Sequence, residues 1–273
     1  MKKLLALGIL IVVGSVGYAY WHESRLVVME PPWPEKVLLE LRGAPGDVRR
    51  YETVVHVNVR SLAAGTSRVN DGTLTLVTTE EIGKQLGAGS HEVAVTFEGL
   101  QFDAPANQRA GFAFLGLGPQ LGELKGQRIS YIEHPTGRRE MTSSALDSAN
   151  NFVMQAFVSS GGGDLFLATP VGKGSAWETR IANILIKNQL ADFETVEGRR
   201  CAKVTSRSET AAGEAPAAGG FQMEGNTTAY YDYSRGVKVR EEGMMTITMP
   251  RQLTLNMTTT TRLVSDAPAA PAT

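Results

Sequence analysis

The stretch RRYETVVHVNVR, residues 49–60, decides the fold, because apolar and polar side chains alternate along most of it. A period of two is typical of a β-strand, in which successive side chains point to opposite sides of the sheet. The stretch therefore predicts an antiparallel sheet with one apolar and one polar face. Its apolar side carries Tyr51, Thr53, Val55, Val57 and Val59, and its polar side carries Glu52, His56, Asn58 and Arg60.

The same alternation recurs in HEVAVTFEG, residues 91–99, and in QLTLNMTTTTRLV, residues 252–264. Together these runs predict an all-β fold: a long curved antiparallel sheet, or half-barrel meander, of about 10–12 strands with one or two short helices. Tight turns are expected where glycine, proline and asparagine separate the runs. The predicted turns are Asn70-Asp71-Gly72, Pro135-Thr136-Gly137, Glu197-Gly198, Ser234-Arg235-Gly236 and Pro250-Arg251.

Helical patterns are few. One helix is predicted over DSANNFVMQAFVSS, residues 147–160, and a second short one near Thr79–Leu86. The apolar segment 110–127 contains spaced glycines, but no βαβ unit surrounds them, so the segment predicts a lid or sheet edge and no nucleotide cofactor. The glycines in question are Gly116, Gly118 and Gly122.

The amino terminus has the pattern of an export signal. Lys2 and Lys3 precede an uncharged run of 17 residues, 4–20. The run lies between a cleavable signal and a membrane-spanning helix in length, so both outcomes stay open. Retention anchors the protein in the inner membrane through residues 4–20 and cleavage releases it. Aromatic residues at the end of the run favour retention, with the folded part in the periplasm.

The rest of the chain divides by composition. The predicted organisation is a signal anchor or signal peptide (1–21), a proline-rich linker (22–36), a β domain (37–264) and a disordered tail (265–273).

Charge and histidine spacing exclude two kinds of partner. The formal net charge is −1, and basic residues are scattered, which disfavours nucleic acid. The four histidines lack metal-ligand spacing, so no metal is expected. A pairing of His56 with His91 across adjacent strands is the one arrangement that would change this expectation.

Catalytic patterns are also sparse. No G-x-S-x-G or S-x-x-K motif occurs, and the acidic pairs Glu80-Glu81 and Glu241-Glu242 have the pattern of solvated turns. Cys201 is the only cysteine, and basic neighbours would lower the pKa of its thiol. It is either a reactive nucleophile or a packed, inert side chain, and the absence of a nearby histidine favours the second. We therefore expect a protein that is not an enzyme.

Residues 165–248 contain a set of spaced residues: Pro170, Gly172, Gly174, Trp177, Gly198, Cys201, Asp232 and Gly236. Through these residues the segment resembles uncharacterised β-rich envelope proteins of bacteria, which are loosely similar to the LolA-like half-barrels that carry lipoproteins. The resemblance implies a strongly curved sheet whose concave side is partly covered by a helix and loops. In carriers, that concave side receives acyl chains.

Three functions follow as alternatives. The first is a non-enzymatic envelope protein that binds a lipid, lipoprotein or other amphipathic ligand in the curved sheet. The second is a structural or protein-interaction module with a filled core, and the third is a hydrolase that uses Cys201. For the first, the expected apolar lining is Phe112, Phe114, Leu115, Phe152, Met154 and Phe157.

Overall fold

The computed structural model describes residues 32–63, 66–109, 112, 121–142, 164–181, 183–211, 221–249 and 253–267. Contacts between residues divide the chain into two units, Met1–Pro34 and Glu35–Thr273, and the β-strands lie in the second unit. The predicted helix over residues 147–160 and the predicted membrane segment lie outside the described residues. None of the helices among the described residues has the length and apolar character needed to span a membrane.

The described residues form thirteen β-strands, which confirms the all-β prediction with a large curved antiparallel sheet. The strands are β1 (Lys36–Val37), β2 (Val48–Ala63), β3 (Thr66–Gln85), β4 (His91–Asp103), β5 (Arg128–Glu133), β6 (Arg139–Met141), β7 (Val171–Gly172), β8 (Ala176–Ile181), β9 (Ile184–Val196), β10 (Arg199–Thr210), β11 (Gln222–Asp232), β12 (Val237–Met249) and β13 (Leu253–Ala267). Two short helical turns accompany them, a 3-10 turn at Gly87–Gly89 and α1 at Leu121–Leu124.

Eleven of the strands form one sheet in the order β6-β5-β4-β3-β2-β13-β12-β11-β10-β9-β8. Neighbours in the chain are neighbours in the sheet, as in a meander, except at one central seam. There β2 pairs with β13 from Val48↔Ala267 to Ser61↔Leu253, so the first long strand lies beside the last. The remaining strands, β1 and β7, form a separate two-stranded sheet.

Three of the predicted turns are confirmed. Glu197 and Gly198 connect β9 to β10 with φ angles of 51° and 75°. Both angles lie in the left-handed region, which glycine adopts without strain. Gly137 lies in the β5–β6 turn, where its N–H donates to the carbonyl of His134. Gly236 closes the β11–β12 turn with a φ of 65°. The predicted Pro250-Arg251 turn lies outside the described residues.

The Asn70-Asp71-Gly72 turn prediction is wrong, because all three residues lie inside β3. Asn58 Nδ2 donates to Asp71 Oδ1 across the β2–β3 pair at 2.7 Å. Gly72 is needed for packing instead, since a Cβ there would lie 2.5 Å from Cζ of Phe102. The Phe102 ring on β4 therefore explains why residue 72 is a glycine, although its sequence context is typical of a turn.

The short helix predicted near Thr79–Leu86 is also wrong. This segment continues β3, and the side chains of Thr78, Glu80 and Ile82 are buried while those between them are more exposed. The alternation is that of a strand. The predicted disordered tail is wrong at residues 265–267, because β13 continues to Ala267 and Asp266 forms ion pairs with Arg199 and Arg235. The rest of the predicted tail, residues 268–273, lies outside the described residues.

A covering segment, residues 35–43, packs on the sheet. Its Leu41 N–H donates to the Pro135 carbonyl at 2.8 Å, and its Arg42 N–H donates to the Gly236 carbonyl at 3.0 Å. Apolar side chains of this segment are buried against β8–β10. The cluster consists of Val37, Leu39, Leu41, Phe166, Val171, Trp177, Leu190, Ala202 and Val204.

Candidate ligand-binding face

Strand register assigns each residue of the large sheet to one of two faces. We call the face that carries Val57 and Val59 of β2 the apolar face, and the opposite one the polar face. Val59 lies opposite Leu255 of β13, and both side chains are almost fully buried. The main apolar cluster on this face comprises Val57, Val59, Leu74, Ile82, Val93, Val95, Phe97, Phe112, Leu124, Ile129, Tyr131, Ile247 and Leu255.

Methionines border this cluster at one end of the apolar face. Met245 lies directly opposite Met257, and Met223 lies opposite Ile247. These side chains pack against the cluster but remain partly exposed, together with Met249. We call Met223, Met245, Met249 and Met257 the methionine patch. Strands ordinarily favour β-branched and aromatic residues, and the flexible thioether side chain adapts to ligands of irregular shape.

The predicted lining residues are only partly placed. Phe112 is fully buried in the main cluster, and its ring packs edge-to-face on Phe102 with centroids 5.0 Å apart. The other five, Phe114, Leu115, Phe152, Met154 and Phe157, lie outside the described residues. Sequence reasoning missed the methionine patch, although the alternation of Met245, Ile247 and Met249 predicts that they share a face.

A buried polar cluster occupies the other end of the apolar face. Arg139 Nε donates to Glu133 Oε1 at 3.1 Å, and its guanidinium lies 3.8 Å from Glu80. The Tyr131 hydroxyl also donates to Glu80, and the Arg139 guanidinium stacks over the Tyr131 ring. Burial chiefly raises the pKa of Glu80, with the neighbouring Glu133 adding to this and Arg139 opposing it.

The acidic pairs are therefore not solvated turns. Glu80 is buried within β3, and Glu241 and Glu242 lie within β12. A carboxylate is buried in a protein when a cation and hydrogen-bond donors compensate it, and Arg139 supplies the cation for Glu80 from a distant strand. Sequence spacing carries no signal of that partner.

The raised pKa of Glu80 predicts a specific pH dependence. Because the folded state holds this proton more tightly than the unfolded state, the stabilisation is complete at low pH and is lost as pH rises through the folded pKa. Glu80→Gln is expected to remove this loss, so that the difference in the free energy of unfolding between variant and wild type shifts in favour of the variant as pH rises above about 4.5. The total change in this stability difference is about 1.4 kcal/mol for each factor of ten by which folding raises the proton affinity of Glu80.

Urea unfolding at several pH values between 4.5 and 8 measures this effect. Glu81→Gln is the matched control, because Glu81 lies on the polar face with a half-exposed side chain paired to Arg128. A pH profile of Glu80→Gln parallel to that of the wild type contradicts the prediction.

The two histidines do not meet. His56 lies on the polar face of β2 and His91 lies on the apolar face of β4, with β3 between the two strands. His91 is buried on the same side of β4 as Val93 and Val95. Within the described ranges, no three His, Cys, Asp or Glu side chains are grouped as a metal site.

The polar face carries a shallow open cleft of about 400 Å³. Its side chains are mainly amides, hydroxyls and carboxylates, which do not suit an acyl chain. The cleft is lined by His56, Val57, Asn58, Asp71, Gly72, Thr73, Asp103, Pro105, Asn256 and Thr258.

Cys201 is a packed side chain, as the second sequence alternative predicts. It lies on β10 opposite Asp232 and Glu194, and its side chain is fully buried. Burial, with a further contribution from the Asp232 carboxylate, raises the pKa of the thiol to about 12 and outweighs the effect of Arg199. A buried thiol with a raised pKa is a poor nucleophile, which argues against the cysteine hydrolase.

Comparison with known proteins shows a similarity of fold alone. Neither a protein-family profile nor a curated protein sequence matches the chain. A lipovitellin structure matches with a TM-score of 0.51 and 9% identity, covering 84% of this chain and 26% of the lipovitellin chain. At that identity the match shows the fold alone, and the chain spans about a quarter of that protein's length.

Other matches are looser. An exported protein with a YmcC-like fold from Bacteroides fragilis matches with a TM-score of 0.34 and 11% identity, over 84% of this chain and 99% of its own. A LolA superfamily protein from Nitrosomonas europaea matches with a TM-score of 0.17 and 7% identity, over 82% of this chain and 89% of its own. Scores this low carry no argument about function. LolA-like and exported β-rich proteins are nevertheless among the matching structures, as the resemblance predicts.

Proposed function

We propose that this chain is a non-enzymatic envelope protein that binds the acyl chains of a lipid or lipoprotein on the apolar face of its sheet. The methionine patch carries the proposal. It is an apolar surface continuous with the buried core, yet its side chains are only partly covered. The matching lipovitellin structure is one of lipid–protein interactions, which supports the same ligand class.

The six predicted lining residues remain part of this proposal. Phe112 lies in the cluster that the methionine patch borders. Phe114, Leu115, Phe152, Met154 and Phe157 lie outside the described residues, and their place in the lining stays a prediction. The proposed location is the periplasm, with the chain tethered to the inner membrane through residues 4–20 or, alternatively, secreted after cleavage.

Two adjacent methionines allow a direct test. Met245→Gln is expected to weaken binding of a pyrene-labelled acyl ester about tenfold, because it places an amide where apolar surface contacts the chain. Met257→Gln, in the opposing position, should have a similar effect. Fluorescence titration of delipidated protein measures the dissociation constants.

Met244→Gln is the matched control, since Met244 lies next in sequence but faces the polar side with 64% exposure. Its affinity should equal that of the wild type, and thermal unfolding should show all three variants folded. Failure of the wild type to bind the probe, together with the absence of co-purifying lipid in mass spectra, would instead favour the structural module with a filled core.

A further inference from the structure

A row of uncharged polar side chains crosses the apolar face beside the methionine patch. Ser206 of β10 lies opposite Asn188 of β9 on one side and Thr227 of β11 on the other. The row continues through Gly243 of β12 to Thr259 of β13. We call Asn188, Ser206, Thr227 and Thr259 the polar strip. An apolar face has no structural need for four hydrogen-bonding residues in one row, because each must be partnered when buried.

Half of the polar strip is partnered within the protein. Ser206 Oγ donates to Asn188 Oδ1 at 2.7 Å, and Asn188 Nδ2 donates to Thr179 Oγ1 at 3.4 Å. The hydroxyls of Thr227 and Thr259 have no hydrogen-bond partner among the described residues, and both side chains are half-buried. Gly243 leaves space between them, since a Cβ there would lie 3.0 Å from Thr227 Oγ1.

The methionine patch begins one step further along the strands. Met245 is two residues from Gly243 and Met257 is two residues from Thr259, and each pair lies on the same face. Two residues of a strand span about 7 Å. The acyl chain of an ester bound at the polar strip can therefore reach the methionine patch along the same face.

The charges nearby disfavour an anionic ligand. Neither the polar strip nor the methionine patch contains lysine or arginine. Glu241 lies on the same face, two residues before Gly243, and its carboxylate accepts a hydrogen bond from Lys238 at 2.8 Å. Lys238, with a further contribution from Arg139, lowers the pKa of Glu241, so this carboxylate stays charged. Both cations already serve acidic side chains, Lys238 that of Glu241 and Arg139 those of Glu133 and Glu80. A phosphate or free carboxylate at the polar strip would therefore find no lysine or arginine within the strip to compensate its charge.

We propose that the polar strip binds the ester and hydroxyl groups of an uncharged acyl ester of the diacylglycerol class, while its acyl chains lie on the methionine patch. The proposal rests on the proposed function, and it adds that the head of the ligand is neutral. Thr227 and Thr259 donate to ester oxygens or accept from a glycerol hydroxyl, and Ser206 and Asn188 hold the strip in place.

A comparison of two lipids with identical acyl chains tests this. The full chain is titrated with dioleoylglycerol and with dioleoyl phosphatidic acid, which differ only by the phosphate. Diacylglycerol should bind at least tenfold more tightly. Thr227→Val keeps the shape of the side chain but removes the hydroxyl, and it should weaken diacylglycerol binding about fivefold.

Thr228→Val is the matched control, because Thr228 is the next residue of β11 and faces the polar side. It should leave both affinities unchanged. Equal or tighter binding of phosphatidic acid, or no effect of Thr227→Val on diacylglycerol, overturns the neutral-head proposal while acyl binding stands. Binding of neither lipid overturns the proposed function as well.

Discussion

Arg139→Met is expected to lower the free energy of unfolding by about 3–5 kcal/mol, because it leaves a buried carboxylate without its cation. Glu133 keeps only 2% of its side chain exposed, and its hydrogen bond from Arg139 Nε is the contact that compensates this burial. Methionine matches the stem of arginine in length and apolar character, so lost packing contributes little. Urea unfolding at neutral pH measures the change.

The neighbouring residue provides the control. Arg138 also pairs with a glutamate, Glu140, at 2.9 Å, but both side chains are about half exposed. Arg138→Met should therefore cost less than about 1 kcal/mol, as exposed ion pairs contribute little. In the Arg139→Met background, Glu133→Gln should restore part of the stability, since an amide is cheaper to bury than a charge. Equal costs for the two arginine variants would show that burial of the pair is unimportant.

Gly236→Ala is the second variant with a large expected effect, a loss of about 3 kcal/mol. A left-handed φ costs about 1–2 kcal/mol in a residue with a Cβ, and Gly236 has a φ of 65°. The added methyl group would also lie 2.6 Å from the backbone nitrogen of Arg42. The covering segment would have to move, with strain of about 1–3 kcal/mol. Urea unfolding measures the loss, and hydrogen exchange at Arg42 reports the displacement.

Gly198→Ala separates the two causes. Gly198 also closes a hairpin, with a φ of 75°, but nothing lies within 4 Å of a Cβ placed there. It should cost only about 1–2 kcal/mol, from backbone strain alone. If both alanine variants lose the same stability, contact with the covering segment contributes nothing.

Local chemistry explains which parts of the fold were predictable. The alternation of apolar and polar residues predicted β2, β4 and β13, because each strand has one more buried and one more exposed side. The Glu197-Gly198 turn was predictable because it needs backbone conformations that few residues adopt. Gly72 misled the same reasoning, because the Phe102 ring that requires a glycine lies on another strand.

The candidate site was less predictable for a related reason. Phe112 was predicted as a lining residue from its local apolar context, and that role stays a prediction. The polar strip becomes visible only when β9–β13 are placed in register. Glu80 gave the pattern of a solvated residue because its partner Arg139 comes from β6. Contacts between distant strands decide these features, and no local pattern records them.

The central β2–β13 seam has a consequence for how the protein reaches its folded state. Contacts such as Thr53–Thr261 join residues 208 positions apart, so closing the seam costs the entropy of a very long loop. Sheets dominated by such distant pairings fold slowly. As the chain is synthesised, the β3–β6 meander can form first, with the β2 edge unpaired. That edge stays open to association with other chains until β13 arrives, and it is the point at which assistance during folding would matter.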